Sequence, residues 1–168
     1  MSLTLEPDPI LAKLALVIRD LLGHPENLIQ FGRLNAEQEQ QNIDYIVIDS
    51  LGPEVPLSKS ESFNDDDEVM TYSSHISKPV TVDFFGDNAY TLARKLKVLQ
   101  PSQKSKDLQF ANGINMQSFR GPTDVRQLTG YQYGNRLQLE TNVQYSVSEN
   151  VDTLRIDEAV IQLPFLTN

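Results

Sequence analysis

The chain has no cysteine, no tryptophan and only two histidines. Without cysteine there is no disulfide, no thiolate nucleophile and no Cys-ligated zinc, and redox chemistry says nothing about compartment. Long apolar runs are missing too. The longest, Leu14-Ala15-Leu16-Val17-Ile18, is cut off by Arg19 and Asp20, far short of the ~20 residues that span a bilayer. No membrane partner is expected, and the opening MSLTLEPDP, with no basic start and no small-residue cleavage site, does not read as a secretory signal. Positive charge is scarce: 14 Lys and Arg stand against 23 Asp and Glu, a net charge of −9, with a pI near 4.6. Duplex DNA repels such a chain on average, because backbone affinity comes from Lys and Arg neutralising phosphates. The basic clusters Arg94-Lys95-Leu96-Lys97 and Lys104-Ser105-Lys106 have no interleaved aromatics and read as a solvated helix face and a loop.

With 168 residues, 39% of them hydrophobic, the chain suits one domain over residues 1–168. A helix is predicted over residues 8–22: Asp8 suits the N-cap and Pro9 the first helical position, Ile10, Leu14, Val17, Ile18 and Leu21 make one apolar face, and Gly23 and Pro25 end it. Strands are predicted near residues 27–34 and, more firmly, at 44–51. Residues 54–67 are the least core-like and are read as an exposed excursion or hairpin tip. Strand character resumes over 69–77 and 78–85, with Pro79 as a bend or edge between them. A second helix is predicted from Asp87, its stripe made of Ala89, Leu92, Ala93, Leu96 and Leu99 or Val98, and Pro101 stops it. A polar loop follows, then short strands at 113–119 and 125–129 joined by a turn at Arg120-Gly121-Pro122, and a turn at 131–135. The long alternating run 136–148 places Leu137, Leu139, Thr141, Val143, Tyr145 and Val147 on one face. A last strand is expected at 154–163 and a mobile tail at 164–168. The sum is an α+β fold: an antiparallel or mixed β-sheet with two α-helices packed on one face and a long excursion.

The stretch VTVDFFGDNAYTLA changes period at Gly86-Asp87, a strand-to-helix junction. A phosphate cradle there would want several glycines and a Lys or Ser/Thr. Here a single glycine is followed by a carboxylate, which repels an anion at the helix mouth. Asp87 is therefore expected as a helix cap. The run Asn64-Asp65-Asp66-Asp67-Glu68 lacks the alternating ligands and central Gly of a calcium loop and reads as a solvated charge run. With Phe63, residues Asp65, Asp66, Asp67 and Glu68 form a possible partner-contact loop. His24 and His75 have no metal-ligand spacing, and no GxSxG elbow is present. No catalytic, metal or cofactor-binding residue is assigned, and an enzyme is not expected.

The residues VTVDFFGDNAYTLARKL, with Gly86-Asp87-Asn88-Ala89 opening the helix, resemble the strand–helix signature of the phage neck (tail) terminator proteins of long-tailed bacteriophages. Further likeness lies in Tyr45-Ile46-Val47-Ile48, Gly113-Ile114-Asn115-Met116, Asp124-Val125-Arg126-Gln127-Leu128 and Tyr133-Gly134-Asn135-Arg136-Leu137; together the likeness covers residues 10–163. The resemblance implies an α+β virion subunit assembled in the host cytoplasm into a homo-oligomeric ring, usually hexameric. Such a ring ends the tail tube and joins it to the head connector, while DNA passes through without specific binding. No cofactor is implied. The excursion at 54–67 departs from the family pattern. Other readings stay open: a tail-tube or baseplate-proximal protein, a small-ligand-binding α+β regulatory domain, or a metal-dependent hydrolase on Asp65–Glu68.

Overall fold

Helix α1 (Pro9–Leu22) opens on Asp8, whose carboxylate accepts from the Ile10 N–H at 2.9 Å, with Pro9 at the first helical position. Gly23 closes it in the left-handed conformation at φ 67°, its N–H donating to the Arg19 carbonyl. Glycine takes up that conformation without a Cβ penalty. Leu14, Val17 and Ile18 are fully buried, each contributing about 1.5–3 kcal/mol of transfer free energy. This computed structural model describes residues 8–32, 43–64, 69–124, 127–129 and 132–152. The expectations for 154–163 and 164–168 lie outside the described residues.

Strands β1 (Ile29–Phe31), β2 (Tyr45–Ser50), β3 (Val55–Asn64) and β4 (Val69–Phe85) precede helices α2 (Ala89–Leu99) and α3 (Gln103–Ala111). Then come β5 (Asn115–Met116), β6 (Arg120–Asp124), β7 (Gln127–Thr129), β8 (Gln132–Gly134) and β9 (Arg136–Asp152). The main sheet runs β1-β2-β4-β9-β5, with β3 also on β4 and β6 also on β9; β7 and β8 pair separately. The β1–β2 pair is parallel and the other pairs are antiparallel, so the sheet is mixed. Its spine is β4 and β9, 17 residues each, in unbroken register from Val69↔Asp152 to Phe85↔Arg136. At about 3.3 Å per residue each is about 55 Å long.

Side chains alternate across a strand, so register assigns the faces. Ile46, Ile48, Val80, Val82, Phe84, Leu137 and Leu139 point to one side and join the core with α1 and α2. In α2 the buried positions are Ala89, Ala93 and Leu96, and the two alanines let the helix approach the sheet closely. The helices thus cover one face, as expected.

Several local readings are corrected. Pro79 lies inside β4 and separates nothing. Its carbonyl faces β2's side and accepts from the Leu51 N–H at 2.9 Å, and in an extended strand the N–H would point the same way. That side is where β2 hands over to β3, between Ser50↔Val80 and Val55↔Ser77, so the missing donor costs no ladder bond. The polar loop after Pro101 contains a third helix, α3. Residues 120–122 belong to β6, which pairs with β9 through a register shift between Arg120 and Thr123. Residues 132–134 form β8 where a turn was expected, and the alternating run at 136–148 continues to Asp152. The segment at 54–67 supplies β3, exposed along its whole length.

Candidate assembly surface

At the strand-to-helix junction the chain turns on Gly86, with φ at 103°. A Cβ there would lie 2.4 Å from Asp44 Oδ1 and 2.8 Å from Asp44 Cα, so glycine is required by both space and dihedral. The cap position falls to Asn88, whose side chain makes no capping bond, and the helix begins at Ala89. Asp87, expected to cap α2, is instead exposed in the turn. The carboxylate serving the helix mouth comes from the residue just before β2: Asp44 Oδ1 accepts from the Asn88 N–H at 2.9 Å and Oδ2 from Asn88 Nδ2 at 2.7 Å. The junction is scaffolding, but Asp44 carries it. No sequence signal singled Asp44 out, because the contact spans 44 residues.

Beyond the helices the sheet continues as a three-stranded arm: residues 55–64 of β3, 69–78 of β4 and 143–152 of β9. The arm is amphipathic. On the side that carries the helices, the rows are Phe63–Met70–Val151, Glu61–Tyr72–Glu149 and Lys59–Ser74–Val147. Phe63, Tyr72, Val147 and Val151 are exposed there. On the other side the rows read Ser62–Thr71–Asn150, Ser60–Ser73–Ser148 and Ser58–His75–Ser146. These polar groups bond across the strands: Thr71 to Asn150 at 2.9 Å, Ser73 to Ser148 at 2.8 Å, Ser146 to His75 Nδ1 at 2.7 Å. Phe63 thus sits on the apolar side of the arm; Asp65, Asp66, Asp67 and Glu68 lie outside the described residues.

A charged clasp holds the base of the arm. Lys78, whose side chain is 7% exposed, bonds Asp8 at the start of α1 and Glu54 at 3.0 Å on the approach to β3. The Tyr145 hydroxyl of β9 lies beside Glu54. Burial works against the Lys78 ammonium, but hydrogen bonds and charge from Asp8 and Glu54 outweigh it and hold its pKa above the ordinary value. For Asp8, burial is outweighed by bonds from Lys78 and the Ile10 N–H, so its pKa lies low. Glu54 is lowered by the Tyr145 hydroxyl and then by Lys78. Tyr145 is pushed well up, first by burial and then by Glu54.

On the sheet face away from the helices, Asp83 is buried and pairs with Arg136 Nη2 at 3.0 Å. Arg136 also lies 5.4 Å over the Phe85 ring, which stacks on Tyr45 at 4.5 Å. Burial raises the Tyr45 pKa. A cleft lined by Tyr90, Asp124, Asn135, Arg136 and Leu137 measures about 240 Å³, under the ~300–1,000 Å³ usual for ligand pockets. Among the described residues no group of three or more His, Asp or Glu is placed to hold a metal ion, and no helix is long and apolar enough to cross a membrane.

The fold is α+β, a mixed sheet with helices on one face and an amphipathic arm. Residues 12–164 of the 168 match the phage neck terminator protein family, and the chain belongs to that family. It is a structural protein of the bacteriophage neck and tail, a virion component that meets other head or tail proteins. No curated protein matches the chain.

Proposed function

We propose that the protein acts as one tail-terminator domain in a closed ring of six identical copies that ends the tail tube and joins it to the head connector. The observation that carries this reading, beside family membership, is the arm: a sheet that exposes Phe63, Tyr72, Val147 and Val151 on one face. Contiguous exposed apolar surface marks a protein-contact site, and a head-to-tail contact closes into a ring when its rotation divides a circle. The net charge of −9 lets DNA pass the ring without adhering, since phosphates find few cations to neutralise them. The subunit folds in the host cytoplasm and is carried in the virion, and its function requires no catalysis and no cofactor. Light scattering on the purified protein, with electron micrographs of the same sample, is expected to give a ring of fixed stoichiometry. An open polymer would point to a tube protein, and a monomer at all concentrations would overturn the reading.

A further inference from the structure

The arm's helix-side face and the outer sides of α2 and α3 both expose apolar side chains and carry charges of opposite sign. The arm strands, residues 55–64, 69–78 and 143–152, carry Glu61, Glu149 and Asp152 against Lys59 and the buried Lys78. The helical stretch 89–111 reverses this, with Arg94, Lys95, Lys97, Lys104 and Lys106 against Asp107 alone. Of these, Lys95, Lys97 and Lys104 donate to carbonyls of the same chain, whereas Arg94 and Lys106 are exposed.

That surface is also apolar where it faces water. In α2 the buried positions Ala89, Ala93 and Leu96 turn Arg94 and Val98 outward, one turn apart. In α3 the buried Ser105 and Gln109 turn Lys106 and Phe110 outward with the same spacing. Phe110 is 89% exposed and Val98 67%. Arg94 and Lys106 make no ion pair among the described residues. Each helix therefore offers a cation and an apolar side chain four residues apart. The arm offers the converse, Glu61 and Glu149 flanking Tyr72 in one row beside Phe63, Met70 and Val151 in the next.

We propose that the arm of one copy lies with its apolar side across the outer faces of α2 and α3 of the next copy, Glu61 and Glu149 meeting Arg94 and Lys106. The contact repeats between copies what each copy does internally, since the same side of β4 and β9 already covers helices in the core. It is heterologous, arm to helices, so it propagates in one direction around a ring. A three-stranded face ten residues long spans about 450 Å² by strand spacing and rise, roughly half the ~800 Å² per partner of a stable pairwise contact. Such a contact is weak for an isolated dimer and suits a closed ring, where every copy is held at two interfaces. This inference rests on the ring reading above.

Because the chain has no cysteine, engineered thiols report without background. Val147→Cys and Phe110→Cys are made as separate proteins, both at exposed positions, and circular dichroism checks their fold. Oxidation of a mixture is expected to give a disulfide-linked pair containing one of each, with little product from either alone. Phe63→Cys mixed with Val98→Cys serves as a second pair with independent geometry. Glu61→Lys/Glu149→Lys and Arg94→Glu/Lys106→Glu are each expected to cut assembly by tenfold or more, and mixing the two is expected to restore it. Rings by light scattering with neither mixed cross-link formed and neither reversal felt would overturn the arm-on-helix contact and leave the ring standing. Mixed cross-links in an open polymer would uphold the contact and remove the ring. Products from each cysteine variant alone, equal to those of the mixture, would mean a symmetric contact and overturn the proposal.

Discussion

Neutralising both carboxylates around Lys78 should destabilise the protein far more than removing Lys78 itself. The Lys78 side chain is 7% exposed, while Asp8 and Glu54 are 33% and 43% exposed. Breaking a fully buried ion pair by deleting one partner costs about 3–5 kcal/mol, because a buried charge is left uncompensated. Here the carboxylates reach water, which screens them, so Asp8→Asn or Glu54→Gln alone should cost about 1 kcal/mol. Each single change leaves the ammonium one counter-charge. The double change leaves none, and its cost should exceed the sum of the singles, reaching roughly 3 kcal/mol. Lys78→Met replaces the ammonium with an apolar group of similar shape and frees two carboxylates that water can solvate, so it should stay within about 1 kcal/mol of wild type. Added to the double variant, Lys78→Met should recover stability. The assay is urea unfolding followed by circular dichroism at pH 7, at a concentration where sedimentation shows one species. Lys78→Met costing as much as the double carboxylate variant, or no recovery in the triple, would refute the reasoning.

The same clasp sets a pH dependence. Asp8 and Glu54 have folded pKa values below their ordinary 3.8 and 4.5, so their contribution is present above those values and lost as pH falls through the lower, folded ones. The urea midpoint should drop in that acid range, less so in the double variant. Lys78 and Tyr145 are raised above 10.5 and 10.0, so their contribution is full below pH 10 and lost as pH rises through the folded values. At the helix junction, Asp44→Ala should cost about 1 kcal/mol, the usual value of a capping carboxylate, whereas Asp87→Ala should fall within about 0.5 kcal/mol; equal losses would return the cap to Asp87. Gly86→Ala should cost roughly 3 kcal/mol from a positive φ and a Cβ driven into Asp44, again read from urea midpoints, and a neutral outcome would mean the turn relaxes freely.

How far the sequence could be read depended on whether the stabilising groups were neighbours along the chain. Helix α1 was legible to the residue at its C-terminal end and within one at its start, because Asp8, Pro9 and Gly23 act on the backbone beside them. The spine strand β9 was legible through its alternation, and β2 through its β-branched run. Helix α3 was not, because its inward face is polar: Gln109 donates to Ser105 at 2.8 Å and accepts from the Met116 N–H at 2.6 Å. An apolar stripe never forms there. The available signal was Ser102, which caps the helix by accepting from the Ser105 N–H, directly after Pro101. The cap of α2 was assigned to the wrong residue for the opposite reason, since Asp87 is adjacent in sequence but Asp44 is adjacent in space.

The alternating hydroxyls of 58–62 and the apolar alternation of 136–148 were written into the chain, as were the acidic balance, the helix ends and the absence of cysteine chemistry. Their consequences are local, because period two and period 3.6 arise from backbone geometry that each segment obeys alone. Tertiary structure alone decided that β3, β4 and β9 share one register. That register gathers the exposed Phe63, Tyr72 and Val147 onto a single face, and it places Lys78 between two carboxylates, 70 and 24 residues away. A strand's own pattern says which residues share a side; only its partners determine what that side confronts.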